Sequence, residues 1–422
     1  MALVFPTSPE GGQQSGPGGG GEAYVWDRST HQSVLVSRSG TATTPSNTAN
    51  HFPRLSASGR FVAFQYYLHI YLLDRDADGN GILDEPAASQ WRLILISTPN
   101  TSLGNKASYR PNISSTGRYV TYGSYATNLV PGDTNAPASS TAFGPPLGVG
   151  CDVFVQDRDA DGNGVFDETA AGGRRTVRVS VNSGGQQTNL NANSQNPDIS
   201  GDGRFVVYDS DATNLVASDF NGLADVFLHD RDCDANGVFD EPGQIKTIRI
   251  SVGPGQSDVN GPSRQPVISR DGRFIAFQST ATNILPGAAS RLAWCHVYLF
   301  DRLTEQMTRV SAPPGGEFAN GSSFDASISG DGRFVVFTSL ASNLVPGDTN
   351  GAPDVFLYDR LAGSAATRLI RVSLTAALTQ SQYGGSNGAI SADGKVICFA
   401  SVSANIVAGD TNKVRDLFAY VP

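Results

Sequence analysis

Long apolar runs are missing from this chain. None approaches the roughly 18 residues that a membrane-crossing helix needs, and the nearest, around Tyr66 to Leu73, has the length of a strand. The sequence therefore predicts no membrane insertion. Helical periodicity is confined to short stretches, which excludes a helical bundle. Cysteine is scarce, with 4 in 422 residues, too few to staple a fold of this size. Cys151, Cys233, Cys295 and Cys398 fall in different repeats or contexts and are expected as free thiols. Basic charge is short as well: 30 Lys+Arg stand against 39 Asp+Glu, a net charge of -9. With no clustered basic face, nucleic acid is excluded as a partner. Histidine is limited to His31, His51, His69, His229 and His296, so a nucleophilic triad has few candidates. Gly384-Gly385-Ser386-Asn387-Gly388 spells the esterase elbow, but it leads into a strand rather than a helix and no histidine is near it in sequence. Met1 is not followed by a basic segment and an apolar stretch, so no secretion signal is visible.

What the chain has in quantity is glycine, 47 residues, and a repeat. An apolar-Ser pair, a turn ending in Gly-Arg or Gly-Lys and an alternating apolar run recur with turn glycines at Gly59, Gly117, Gly203, Gly272, Gly332 and Gly394. The clearest copies begin at Ile199, Ile268 and Ile328. Alternation in short runs bounded by turn residues predicts an all-β fold. One unit, Ala326 to Leu374, divides into four strands, and four antiparallel strands in a repeat of this length make a propeller blade. Because the repeat runs almost end to end, residues 1–422 are read as one β-propeller domain, with 11–21 as a Gly-rich flexible segment. Seven blades are favoured, both terminal blades being three-stranded, because Glu22 to Arg28 matches a full third strand. The alternative is six, with Val34 to Ser37 completing the last blade.

Ile-Ser-Gly-Asp-Gly-Arg-Phe-Val-Val-Phe-Thr-Ser from Ile328, followed by Asp-Val-Phe-Leu-Tyr-Asp-Arg from Asp354, resembles the WD-like Pro-Asp repeat of TolB-type bacterial β-propellers. The resemblance covers most of the chain. It implies the fold and leaves function open, since such blades serve scaffolds, peptidase caps, sugar lyases and surface proteins. The Gly-Arg and Asp-Arg elements recur in blade after blade, so they are read as packing devices rather than catalytic groups.

A second phrase, Asp-Arg-Asp-Ala-Asp-Gly-Asn-Gly, carries the chemistry. Asp74, Asp76 and Asp78 alternate, Asn80 follows Gly79, and Glu85 stands at the twelfth place. Asp157, Asp159, Asp161, Asn163 and Glu168 repeat the set, and Asp230, Asp232, Asp234, Asn236 and Glu241 repeat it with Ala235 in place of the glycine. Calcium takes about six to eight oxygens, and alternate side chains of a tight loop closed by a late carboxylate supply them. Calcium is therefore the expected cofactor, bound more weakly by the third loop. Whether Asp84 or Glu85, and Asp167 or Glu168, closes each shell is open. Gly-Asp-Thr-Asn at Asp133, Asp348 and Asp410, with a variant at Asp219, reads as turn-forming.

Binding residues are sought where the repeat breaks. The loop between the second and third strands nearly vanishes at Tyr66, Tyr67 and His69, expands to Ala136 through Gly150, and departs again at Trp294 and His296. Polar loops with isolated aromatics suit a protein or carbohydrate ligand. The expected function is a calcium-binding, non-enzymatic binding or scaffolding module, monomeric and extracytoplasmic. The alternative is a polysaccharide lyase or glycosidase using the central channel.

Overall fold

The recurring Ser-turn-Gly phrase folds the same way each time. In the first copy Gly59 N–H donates to the Ser56 carbonyl at 3.0 Å and Phe61 N–H donates to Ser56 Oγ at 3.1 Å. Ser114, Ser200, Ser269, Ser329 and Ser391 accept equivalently from Tyr119, Phe205, Phe274, Phe334 and Val396. Each turn thus joins the first strand of a sheet to the second through the same hydrogen bonds.

The structure is a computed structural model that describes residues 2–7, 22–27, 32–36, 50–85, 88–98, 103–135, 149–168, 170, 172–286, 294–412 and 414–421. The Gly-rich segment 11–21, most of the expanded 136–150 loop and His31 lie outside the described residues. Contacts divide the chain into two compact units. The first comprises 1–206, 212–216 and 229–247, and the second 207–211, 217–228 and 248–422.

At the N-terminal end β1 (Ala2–Thr7), β2 (Glu22–Asp27) and β3 (Gln32–Leu35) form a three-stranded antiparallel sheet. Four-stranded sheets follow. The first holds β4 (Asn50–Leu55), β5 (Phe61–Tyr66), β6 (His69–Asp74) and β7 (Arg92–Leu95). The second holds β8 (Ser108–Ile113), β9 (Tyr119–Ser124), β10 (Asp152–Asp157) and β11 (Arg175–Arg178). The third holds β12 (Ser194–Ile199), β13 (Phe205–Ser210), β14 (Asp225–Asp230) and β15 (Lys246–Arg249). The fourth holds β16 (Ser263–Ile268), β17 (Phe274–Ser279), β18 (His296–Asp301) and β19 (Gln306–Arg309). The fifth holds β20 (Ser323–Ile328), β21 (Phe334–Ser339), β22 (Asp354–Asp359) and β23 (Leu369–Arg371). Last come β24 (Ser386–Ile390), β25 (Ile397–Ser401) and β26 (Asp416–Tyr420), three strands in order.

These are the four-stranded antiparallel blades of a β-propeller. Five are complete and β24–β26 makes a sixth without its fourth strand, which is the six-blade alternative; β1–β3 is a separate three-stranded sheet. The pairing that alternative assumed is not seen among the described residues, since β3 pairs with β2. Helical structure among the described residues is limited to single turns such as Ala365–Arg368, and none is long and apolar enough to cross a membrane.

In the first unit Phe61, Ala63, Ile70, Leu72, Ile94, Val120, Tyr122 and Phe154 share one buried cluster. In the second, Phe274, Val297, Leu299, Val335, Phe337 and Phe356 do the same. The first strand is bulged in five of the sheets: register shifts fall between His51 and Arg54, Tyr109 and Asn112, Arg264 and Val267, Phe324 and Ser327, and Ser386 and Ala389. A residue with positive φ stands at each, Phe52, Arg110, Gln265, Asp325 and Asn387. Such bulges sharpen the twist that blades need.

Candidate metal loops and the repeat-breaking loops

The arginine after five of the six turn glycines reaches the end of its own third strand; Lys395 follows the sixth. Arg60 Nε and Nη2 donate to Asp74 Oδ1 and Oδ2 at 2.7 and 2.9 Å, and Arg118 holds Asp157 at 2.8 and 2.9 Å. Arg204–Asp230, Arg273–Asp301 and Arg333–Asp359 repeat the two-pronged pair. The last two pairs belong to sheets with no Asp-rich loop. Asp74, Asp157 and Asp230, expected as first ligands of calcium, therefore occupy the place of a blade-building aspartate, with both oxygens already engaged by an arginine.

The next residue is equally committed. Arg75 donates to the Gly59 carbonyl at 2.6 Å and pairs with Asp84. Arg158 is fully buried, donates to the Gly117 carbonyl at 2.6 Å and pairs with Asp167. Arg231 repeats this with Gly203 and Asp240. Asp84 and Asp167 are thus held by arginine. The late carboxylate left to face the loop is Glu85 or Glu168.

What remains of each set is brought together. Asn80 Nδ2 donates to Asp78 Oδ2 at 3.1 Å and to Glu85 Oε2 at 2.8 Å, while Asp76 accepts from Gly81 N–H at 3.3 Å. Asn163 bridges Asp161 and Glu168 at 3.0 and 2.5 Å, and Asn236 bridges Asp234 and Glu241 at 3.0 and 2.7 Å. In the third loop Asp232 accepts from Asn236 N–H and Gly237 N–H, each at 3.0 Å. The three loops share one backbone path: Gly79 and Gly162 have φ of 72° and 70°, and Ala235 is forced to 59° at the same place. Among the described residues no three His, Cys, Asp or Glu side chains already converge as metal ligands. The donors are all oxygen, which fits a hard cation, and the amide of Asn80 or Asn163 sits between the carboxylates that such an ion would join.

The Gly-Asp-Thr-Asn loops form something other than simple turns. Arg178 Nη1 lies 3.2 Å from Asp133 Oδ1 and 3.5 Å from Asp152 Oδ2, Asn135 donates to Asp152 at 2.9 Å, and Ser180 Oγ donates to it at 2.5 Å. Arg371 with Asp348, Asp354, Asn350 and Ser373 is the same network. Arg249 joins Asp219, Asp225 and Asp258 at 3.1, 3.4 and 2.7 Å, with Asn221 and Ser251 bonded to Asp225. Burial and then the neighbouring Asp152 push Asp133 up to about 6; burial and then Asp225 do the same to Asp219. The sequence signal for this network is the loop aspartate together with Arg-apolar-Ser in the fourth strand; the first four-stranded sheet has Leu95-Ile96-Ser97, and Arg309-Val310-Ser311, in a sheet without the loop aspartate, sends its arginine to the Gly316 and Glu317 carbonyls instead.

At the same place in the first four-stranded sheet, between its second and third strands, Tyr67 turns the shortened loop with φ 53° and is exposed. Tyr66 packs edge-on against Tyr71 at 5.5 Å. His69 is half-buried and burial lowers its pKa. In the second unit Trp294 is partly exposed, but His296 is 2 % exposed and packs at a tilt against Phe318, with ring centroids 5.6 Å apart. Burial, then Arg309, lowers the His296 pKa to about 4. His229 is buried against Thr247 Oγ1 at 2.9 Å. His69, His229 and His296 thus belong to three different sheets, and His296 is an interior residue rather than a ligand contact. All four cysteines are free.

No family model matches the chain, and no curated protein matches it in sequence. Among solved structures it is similar to an oligogalacturonate lyase in complex with manganese, at 12% identity and a TM-score of 0.50, over 100% of this chain and 86% of that one. An oligogalacturonate lyase from Vibrio parahaemolyticus is 12% identical with a TM-score of 0.48, covering 95% of this chain and 83% of the other. TolB from Acinetobacter baumannii is 15% identical with a TM-score of 0.41; 87% of this chain aligns and spans 62% of that protein. At such identities the likeness speaks to fold alone.

Proposed function

We infer that the chain is a calcium-stabilised propeller that acts, without catalysis of its own, as a binding or scaffolding module for protein or carbohydrate ligands. The observation that carries the calcium reading is the clustering of Asp78 and Glu85 about the Asn80 amide, with Asp76 beside them, after arginines have claimed Asp74 and Asp84. Asp76, Asp78, Asn80 and Glu85 would hold the ion in the first loop, Asp159, Asp161, Asn163 and Glu168 in the second, and Asp232, Asp234, Asn236 and Glu241 in the third. Binding requires the asparagine amide to turn its oxygen toward the carboxylates. The ion would supply charge neutralisation and loop closure. Exposed loops of this kind work at extracellular calcium levels, which suits a module outside the cytoplasm. Ligand contacts are assigned to Tyr66, Tyr67 and His69 in the first unit and, separately, to Trp294 in the second.

Thermal unfolding with calcium and with a chelator tests the reading. An ion that binds only the folded loops stabilises by RT ln(1 + [L]/Kd), about 2.7 kcal/mol at a hundredfold excess over Kd. Asp76→Ala with Asp159→Ala should remove most of the calcium response. Asp301→Ala, which breaks the arginine pair in a sheet without an Asp-rich loop, should lower the melting temperature and leave the response intact. A melting temperature indifferent to calcium in protein shown to be ion-free would refute it.

A further inference from the structure

In the first unit three first strands pack side by side, β4 against β8 and β8 against β12. Each carries the same kind of phrase. Phe52-Pro53-Arg54, Arg110-Pro111-Asn112 and Asn196-Pro197-Asp198 stand at equivalent places, and Phe52, Arg110 and Asn196 have φ of 55°, 50° and 53°. In β4 and β8 this is the bulge, which re-aims the side chains beside it. The corresponding phrases of the other sheets, Gln265-Pro266-Val267, Asp325-Ala326-Ser327 and Asn387-Gly388-Ala389, hold no cation. The arginines at this place are therefore a departure from the repeat.

The bulges bring groups of different sheets together. Arg110 lies over the Phe52 ring at 4.9 Å, so the guanidinium of the second sheet rests on the aromatic of the first. Arg54, two residues along from Phe52, donates to the Pro53 carbonyl at 3.1 Å. Its side chain is open to solvent yet crowded by protein. That desolvation lowers its pKa, Asp198 acts to raise it, and Arg110 lowers it further. The Asp198 carboxylate is already engaged, since Oδ1 accepts from Asn112 Nδ2 at 2.6 Å and from the Ile199 N–H at 2.8 Å. Among the described residues neither Arg54 nor Arg110 forms an ion pair. Two guanidiniums and one carboxylate leave a positive charge in excess, in a chain whose net charge is -9. A guanidinium presents a planar fork of donors that matches a carboxylate or a phosphate.

We propose that Arg54 and Arg110 form an anion site for the carboxylate or phosphoryl head of a small soluble ligand, with the exposed Phe52 beside them for the ligand's body. The site shares no residue with the Asp-rich loops or with Tyr66, Tyr67 and His69, and it needs no calcium.

Calorimetric titration of the full chain with inorganic phosphate and, separately, with succinate tests it, in protein freed of calcium so that neither anion acts by chelation. Saturable binding of at least one is expected, phosphate alone assigning a phosphoryl head and succinate alone a carboxylate. Arg54→Gln and Arg110→Gln should each weaken that binding about tenfold, while Arg175→Gln, at an exposed arginine of β11, leaves it unchanged. Asp198→Asn should tighten it, because the change removes the competing charge and keeps an oxygen to accept from Asn112; a variant that had lost its fold could not gain affinity. No binding at millimolar anion, equal affinity in the wild type and both arginine variants, or weaker binding by Asp198→Asn at an unchanged melting temperature would each overturn the proposal.

Discussion

At the turn, glycine answers two demands at once. Gly332 has φ +67°, and a Cβ there would lie 2.1 Å from the Phe274 ring of the preceding sheet. Gly203 meets Tyr119 at 2.1 Å and Gly117 meets Phe61 at 2.3 Å in the same way. The aromatic that opens one second strand therefore packs onto the turn of the next blade, and no side chain fits between them. Gly332→Ala should cost roughly 2–4 kcal/mol, combining left-handed strain with overpacking. Gly347, at φ +77° with nothing within 4 Å, isolates the first term, so Gly347→Ala should cost only about 1 kcal/mol. Chemical denaturation of both variants checks this, and equal losses would show that the aromatic contact carries no weight. This requirement is not visible in a local reading, because Phe274 and Gly332 belong to different repeats.

At the scale of the element, the Asp-Arg arginines Arg158, Arg231 and Arg360 each reach an aromatic of the preceding sheet, Arg360 over Phe274 at 4.1 Å. Arg158 lies over Phe61 at 4.4 Å and Phe166 at 4.8 Å while holding the Gly117 carbonyl. Arg231 lies between Tyr119 and Phe239. The structural reading of Gly-Arg and Asp-Arg was legible because repetition displays it. The ligand register was harder to read: Asp74 looks like the first residue of a calcium loop, and only its pairing with Arg60 across the turn shows that it ends a strand. The loop aspartates were harder still, since Asp133 meets Arg178 and Asp348 meets Arg371 only when the fourth strand pairs with the third.

Those loop networks carry a pH signature. Asp219 faces Asp225, Arg249 and Asp258, and burial raises its folded pKa to about 6 from an ordinary 3.8. A raised carboxyl binds more protons folded than unfolded, so its contribution is complete below about 4 and is lost as pH climbs toward 6. Asp219→Asn cannot titrate. The melting-temperature gap between variant and wild type should therefore shift in the variant's favour between pH 4 and 6, and a gap independent of pH would contradict the assignment.

For the whole molecule, repetition explains why fold was more legible than function. Alternating strands and Gly-Arg turns specify blades wherever they occur, whereas the blade count turned on the two ends, where sheets of three strands leave the repeat incomplete. Function rests on departures from the repeat, and the one departure made three times is the Asp-rich loop. Counting bound calcium in ion-free protein by equilibrium dialysis, for the wild type and for Asp76→Ala, Asp159→Ala and Asp232→Ala singly, tests the central claim most directly. The account predicts that each substitution removes one ion, the third loop filling last, and that Asp301→Ala removes none. Absence of bound calcium at millimolar concentration, or a count unchanged by all three substitutions, would contradict it.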